Sequence, residues 1–133
     1  MATDTKSNPD QETYRSEVKQ AISAYSQSEK VKAGLIWVSQ VSNQVAEMET
    51  PTRQKGLMLL KTLAHLVADE SDLAGRVTGD SRWHEIGKRI NMALVMINSG
   101  VPQETGFHLA QALTRVTRIG GQAAAVLKAH HLF

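Results

Sequence analysis

A chain of 133 residues is long enough for one domain with a core of its own, without metal or disulfide staples. It contains no cysteine, which excludes a disulfide framework, zinc–thiolate sites and thiol catalysis, and with only 5% aromatic residues its core must be aliphatic. The net charge of +2 is unevenly spread: residues 1–80 carry nine Lys/Arg against eleven Asp/Glu, residues 81–133 carry six against two, and no acid occurs after Glu104.

The first ten residues, MATDTKSNPD, are polar and aperiodic, and are expected to form a disordered tail ahead of a single domain over 11–133. They lack the apolar core of a signal peptide. The longest apolar run, Met92 to Ile97, is far short of the ~20 residues that a membrane span requires. No membrane association and a cytoplasmic location are therefore expected.

Asp10 is placed to cap the first helix, whose stripe is Tyr14, Val18, Ala21, Ile22 and Tyr25. Ser26-Gln27-Ser28 is a soft spot, because serines compete for backbone hydrogen bonds. The stripe resumes through Val31, Leu35, Val38, Val45 and Met48, so residues 12–49 form either one long helix or two consecutive ones. Thr50-Pro51 is a boundary, with the proline suited to the first turn of the next helix. This second helical segment is expected from Pro51 to Asp69, burying Leu59, Leu60, Leu63, Leu66 and Val67. Asp69 to Asp80 then reads as a connection punctuated by Gly75 and Gly79.

Ser81 is a good cap for the third helix, with Glu85 in support. Its stripe is Trp83, Ile86, Gly87, Ile90, Ala93, Leu94 and Ile97, and it stops at Asn98-Ser99-Gly100. Pro102 opens the last segment, with Glu104 favourable at its positive end. Phe107, Leu109, Leu113, Val116, Ile119 and Leu127 supply its apolar side, and Gly120-Gly121 either ends it or bends it.

The pattern predicts an all-α fold, a bundle of four to five helices in largely antiparallel order. Its expected core is Leu35, Val38, Val45, Leu60, Leu63, Val67, Trp83, Ile86, Ile90, Leu94, Ile97, Phe107, Leu113, Val116 and Leu127. No Gly-x-Ser-x-Gly, Walker loop, dinucleotide fingerprint or His-Glu-x-x-His occurs, so no catalytic residue is assigned, no cofactor is expected and the expected role is non-enzymatic.

Three constellations compete for function. The first is an interaction surface. Gly106, Ala110 and Gly121 form a row of small side chains that would let another helix approach closely, with Gly87 as a counterpart. Met92, Val95 and Met96 leave the stripe of their helix and make its C-terminal half apolar all round. Together they point to a self-associating module or a small subunit of an assembly, with a protein partner or a second copy on these residues. A simpler alternative for the small row is an internal crossing of the third and fourth helices.

The second constellation is basic. Arg82, Lys88 and Arg89, with Arg115 and Arg118, would let an accessory protein contact nucleic-acid backbone. A helix-turn-helix over Leu73–Ile90 fails on a gap one residue too long, and no aromatic interleaves the basic stripe. The third is a metal-binding bundle, for which the weak candidates are His65 with Asp69 and Glu104 with His108. Both pairs lie on polar faces, and the Glu-x-x-His spacing of carboxylate-bridged sites is missing.

Overall fold

The computed structural model describes residues 8–133, which form an all-α bundle of four helices. Helix α1 spans Pro9–Ala46, α2 Thr52–Thr78, α3 Arg82–Asn98 and α4 Gly106–Ala129, with a 3-10 turn at Pro102–Glu104 before α4. Each helix packs on its two neighbours in a closed ring: α1 on α2 and α4, α3 on α2 and α4. Successive helices are antiparallel, as short connections require. Among the described residues there is no strand, and no helix is long and apolar enough to cross a membrane.

Local chemistry sets the ends. Asn8 caps α1 by accepting from the Asp10 amide at 2.9 Å, Pro9 opens it, and Asp10 and Glu12 lie in its first turn. The cap is thus Asn8 rather than Asp10, and residues 8–10 of the expected tail belong to the helix start. Residues 1–7 of that tail lie outside the described residues. Gly79, at φ 66°, ends α2 by donating to the Gly75 carbonyl at 2.9 Å, a left-handed turn that glycine adopts without steric cost. The start of α3 is held by Asp80, whose Oδ1 accepts from the Arg82 amide at 2.9 Å, while Ser81 occupies the cap position without a side-chain cap bond.

Residues 12–49 thus form one helix as far as Ala46, undisturbed by the serines, because Ser28 is buried and serves the packing. The expected connection from Asp69 to Asp80 is helical up to Thr78; Ser71, Ala74 and Thr78 continue the buried stripe of α2. The last helix begins at Gly106, not Pro102, and runs through Gly120-Gly121 to Ala129.

The buried positions obey a seven-residue repeat. In α1 they are Ala21, Ser28, Leu35 and Ser42, interleaved with Val31, Val38 and Val45. In α2 they are Leu60, Val67 and Ala74, interleaved with Ala64, Ser71 and Thr78. In α3 Trp83, Ile90 and Ile97 alternate with Ile86 and Ala93, and in α4 Leu109, Val116 and Ala123 with Ala112 and Ile119. Such a repeat keeps one seam facing the partner helix along its whole length.

The seam between α1 and its two neighbours is lined by small residues. A Cβ placed on Gly34 would sit 2.7 Å from Val67 Cγ2, one on Gly56 2.9 Å from Met48 Sδ, and one on Gly120 3.1 Å from Ser28 Cβ. Small side chains at the contact bring helix axes close. This close packing corrects the expected core. Twelve of its fifteen members are buried, and Leu63 and Leu113 are half-buried against it, but Phe107 is 64% exposed. Phe107 precedes the buried Leu109 by two residues, about 200° round the helix. Leu59 and Leu66 are also exposed, at 73% and 58%. Each immediately precedes a buried position, Leu60 or Val67, and points about 100° away from it.

Candidate interaction surfaces

With small residues inside, several large apolar side chains remain on the outside. One group borders the α1–α2 seam. Lys30 on α1 pairs with Glu70 on α2 at 3.5 Å, and Gly34 faces Val67, which fixes the register of the two helices. One heptad on from Lys30 is Trp37; one heptad back from Glu70 is Leu63, with Leu59 and Leu66 a turn to either side. Trp37 is 57% exposed, and the register set by Lys30–Glu70 and Gly34–Val67 places it on the same outer edge of the seam as the leucines, as one apolar strip. Periodicity alone misses the strip: it places the leucines inside and passes over Trp37. The available signal is size, since Ala64, Ser71 and Ala74 occupy positions that only a close helix contact would fill with small residues.

A second surface lies between α1 and α4. A groove of about 310 Å³ is lined by Leu35, Ile36, Ser39 and Gln40 on one side and Gly106, Leu109, Ala110 and Leu113 on the other. Gly106 and Ala110 of the small-residue row therefore open onto this groove, on the flank of α1. Gly121, further along, is exposed, with nothing within 4 Å of an added Cβ. The row does not make the internal α3–α4 crossing. Its expected counterpart, Gly87, has Asp72 of α2 as its nearest distant neighbour, at 3.9 Å. Close approach within the fold is made instead by Gly34, Gly56 and Gly120.

A third surface is the outer face of α3. Met92 and Val95 are exposed and Met96 is half-buried, while Ala93, Leu94 and Ile97 turn inward. The C-terminal half of α3 is thus apolar both towards the core and towards solvent.

The basic residues gather on the α3–α4 side. Arg82, Glu85, Arg115, Arg118 and Ile119 line one cleft of about 180 Å³. Arg82 grips Asp80, with Nη2 to Oδ2 at 2.7 Å and Nε to both carboxylate oxygens, and reaches across to Gln122 Oε1 at 2.6 Å. These hydrogen bonds hold the Asp80 carboxyl below its ordinary range, against the opposing effect of partial burial, and raise the Arg82 guanidinium. Glu85 is shared by Lys88 at 4.0 Å and Arg89 at 3.6 Å. Among the described residues Arg115 bonds to Gln111 alone, through its side-chain oxygen at 3.0 Å and its carbonyl at 3.4 Å. Arg118 has no hydrogen bond or ion pair among the described residues.

The four residues of the metal alternative are not brought together. His65 and Asp69 are exposed on α2, Glu104 is exposed in the 3-10 turn, and His108 is half-buried on α4, diagonal to α2 in the ring. Among the described residues no three His, Asp or Glu side chains are grouped as a metal would need. At the far end of the bundle the C-terminal residues return to α1. His130 sits edge-on to Tyr14 and 2.9 Å from Glu17, and Phe133 sits edge-on to Tyr25.

Comparison of the chain with models of protein families, with curated proteins and with solved structures finds no match in any of the three.

Proposed function

We propose that this protein is a non-enzymatic helical interaction module, one that self-associates or serves as a small subunit of a larger assembly. The observation that carries the reading is the apolar strip of Trp37, Leu59, Leu63 and Leu66 on a bundle whose seams are filled by glycine, alanine and serine. Covering a large aliphatic or aromatic side chain contributes about 1.5–3 kcal/mol, so a strip of this kind is a strong driving force for association. Met92 and Val95 on α3, Ile36 in the α1–α4 groove and Phe107 on α4 add further uncovered apolar surface.

The test is native mass spectrometry and sedimentation of the untagged protein beside Trp37→Glu and Leu66→Glu. Both positions are exposed, so the fold should survive, as read by helicity and thermal melting. A discrete oligomer that falls to monomer in the variants supports self-association. A wild-type monomer whose variants match it in hydrodynamics and in every partner recovered would sink the reading.

Contact with nucleic-acid backbone is the weaker alternative. The charge of Arg82 is paired with Asp80, and Lys88 and Arg89 lean on Glu85, so among the described residues Arg115 and Arg118 are the two of the five with no carboxylate at ion-pair distance. Two free cations would give a logarithmic salt slope of only about −2, against about −6 to −9 for proteins that make many phosphate contacts. A steep salt dependence of binding to a duplex would restore that alternative.

A further inference from the structure

The surplus charge on the α3–α4 side has a geometry suited to a small ligand. Five cationic side chains, Arg82, Lys88, Arg89, Arg115 and Arg118, are set against Asp80 and Glu85, with Glu17 of α1 lining the adjoining pocket beside Arg82. Three arginines, Arg82, Arg115 and Arg118, line one cleft together with Glu85 and the buried Ile119. Arg115 and Arg118 are three residues apart on α4, close enough to repel each other, and no acid on that helix offsets them. One turn on from Glu85 along α3, Arg89 Nε is shut off from solvent and has no hydrogen bond among the described residues, with Glu85 Oε2 at 3.6 Å. Guanidinium groups present forked, planar donors that match oxyanions and keep their charge at every working pH. Arg82 is already fixed by Asp80 and Gln122, so little of its freedom remains to be lost on binding.

We propose that the cleft between α3 and α4 binds a small oxyanion of the phosphate class, free phosphate or a phosphomonoester, held by Arg82, Arg115 and Arg118. Arg115 and Arg118 supply the uncompensated charge, and Arg82 supplies the N–H groups that Asp80 and Gln122 leave free. Glu85 shares the lining and opposes an anion, so it limits affinity. Removing its charge should tighten binding. The proposal does not depend on the apolar surfaces and stands apart from the interaction-module reading.

The test is calorimetric titration of the full chain at constant ionic strength, with inorganic phosphate, glycerol phosphate and chloride as separate titrants. Saturable binding of either phosphate compound, absent with chloride, is the expected result. The double variant Arg115→Gln/Arg118→Gln should weaken it at least tenfold, and Glu85→Gln should strengthen it severalfold, with helicity unchanged in both. Tighter binding of glycerol phosphate than of phosphate identifies a phosphomonoester, and the reverse identifies the free ion. Binding that fails to saturate, that chloride reproduces, or that the double variant leaves intact would overturn the proposal. Duplex DNA binding with a steep salt slope and no response to phosphate would also overturn it.

Discussion

Gly34 shows how much of this fold is decided by single small residues. Replacing an interior helical glycine by alanine ordinarily gains about 1 kcal/mol from backbone entropy. At Gly34 the added methyl would meet Val67 Cγ2 at 2.7 Å, and overpacking a close helix seam costs about 1–3 kcal/mol. Gly34→Ala should therefore lower stability in chemical denaturation, and Gly34→Ala/Val67→Ala should lose less than the sum of the two single losses, because trimming Val67 relieves the clash. A simple gain in the single variant would mean that the seam has room to relax. Ser71 makes the opposite case. Its hydroxyl is buried at a heptad position of α2 and has no hydrogen-bond partner among the described residues. Removing an unpaired buried polar atom while keeping the small side chain should stabilise Ser71→Ala by about 1 kcal/mol. A loss of that size in the same denaturation experiment would show that the hydroxyl is bonded.

At the scale of the element, the start of α3 carries the clearest pH dependence. Asp80 accepts from the Arg82 amide and from its guanidinium, and these bonds hold its carboxyl below the ordinary range. A depressed carboxyl pKa adds stability above the unfolded-state value, and that stability is lost as pH falls through the lowered folded-state value. Because Arg82 is about half exposed, water screens the pair and the contribution stays at or below about 1 kcal/mol. Asp80→Asn keeps an acceptor for the amide and removes only the charge. It should melt slightly lower than wild type at pH 7 and converge with it well below pH 4; a constant offset across that range would assign the effect to shape rather than charge. The same helix start shows where the sequence was readable. Boundary signals such as Thr50-Pro51, Gly79 and Gly100 lie close to the helix ends, and three- and four-residue spacing marks every helix. Polarity could not rank Ser81 against Asp80 as the cap, because both side chains are good acceptors and only the loop geometry chooses between them. Nor could it tell that Ser71 and Ala74 carry α2 onward, since a run of small and acidic residues looks like a connection until a neighbouring helix packs on it.

At the scale of the whole molecule, the seven-residue repeat decides which apolar residues are inside. Leu60 and Val67 share the α2 seam with Ala64, Ser71 and Ala74, so Leu59 and Leu66 are turned out although they are as apolar as anything within. Hydrophobicity alone assigns them to the core; the size of their neighbours places them on a surface. The interaction-module reading asks the same question of Gly121, an exposed mid-helix residue with nothing within 4 Å of an added Cβ. An isolated chain gains from changing it: Gly121→Ala should raise the stability of the monomer by about 1 kcal/mol. If a second helix packs on the row of Gly106, Ala110 and Gly121, bulk at that point should instead disrupt association. Gly121→Leu would then dissociate the assembly in sedimentation at micromolar protein while melting no lower as a monomer. Gly87→Ala, with only Asp72 Oδ1 at 3.9 Å beside it, probes the row's expected counterpart on α3. Equal behaviour of the two substitutions, both stabilising and neither changing the sedimentation profile, would remove the small-residue row from the interface and leave the Trp37–Leu66 strip as the contact surface.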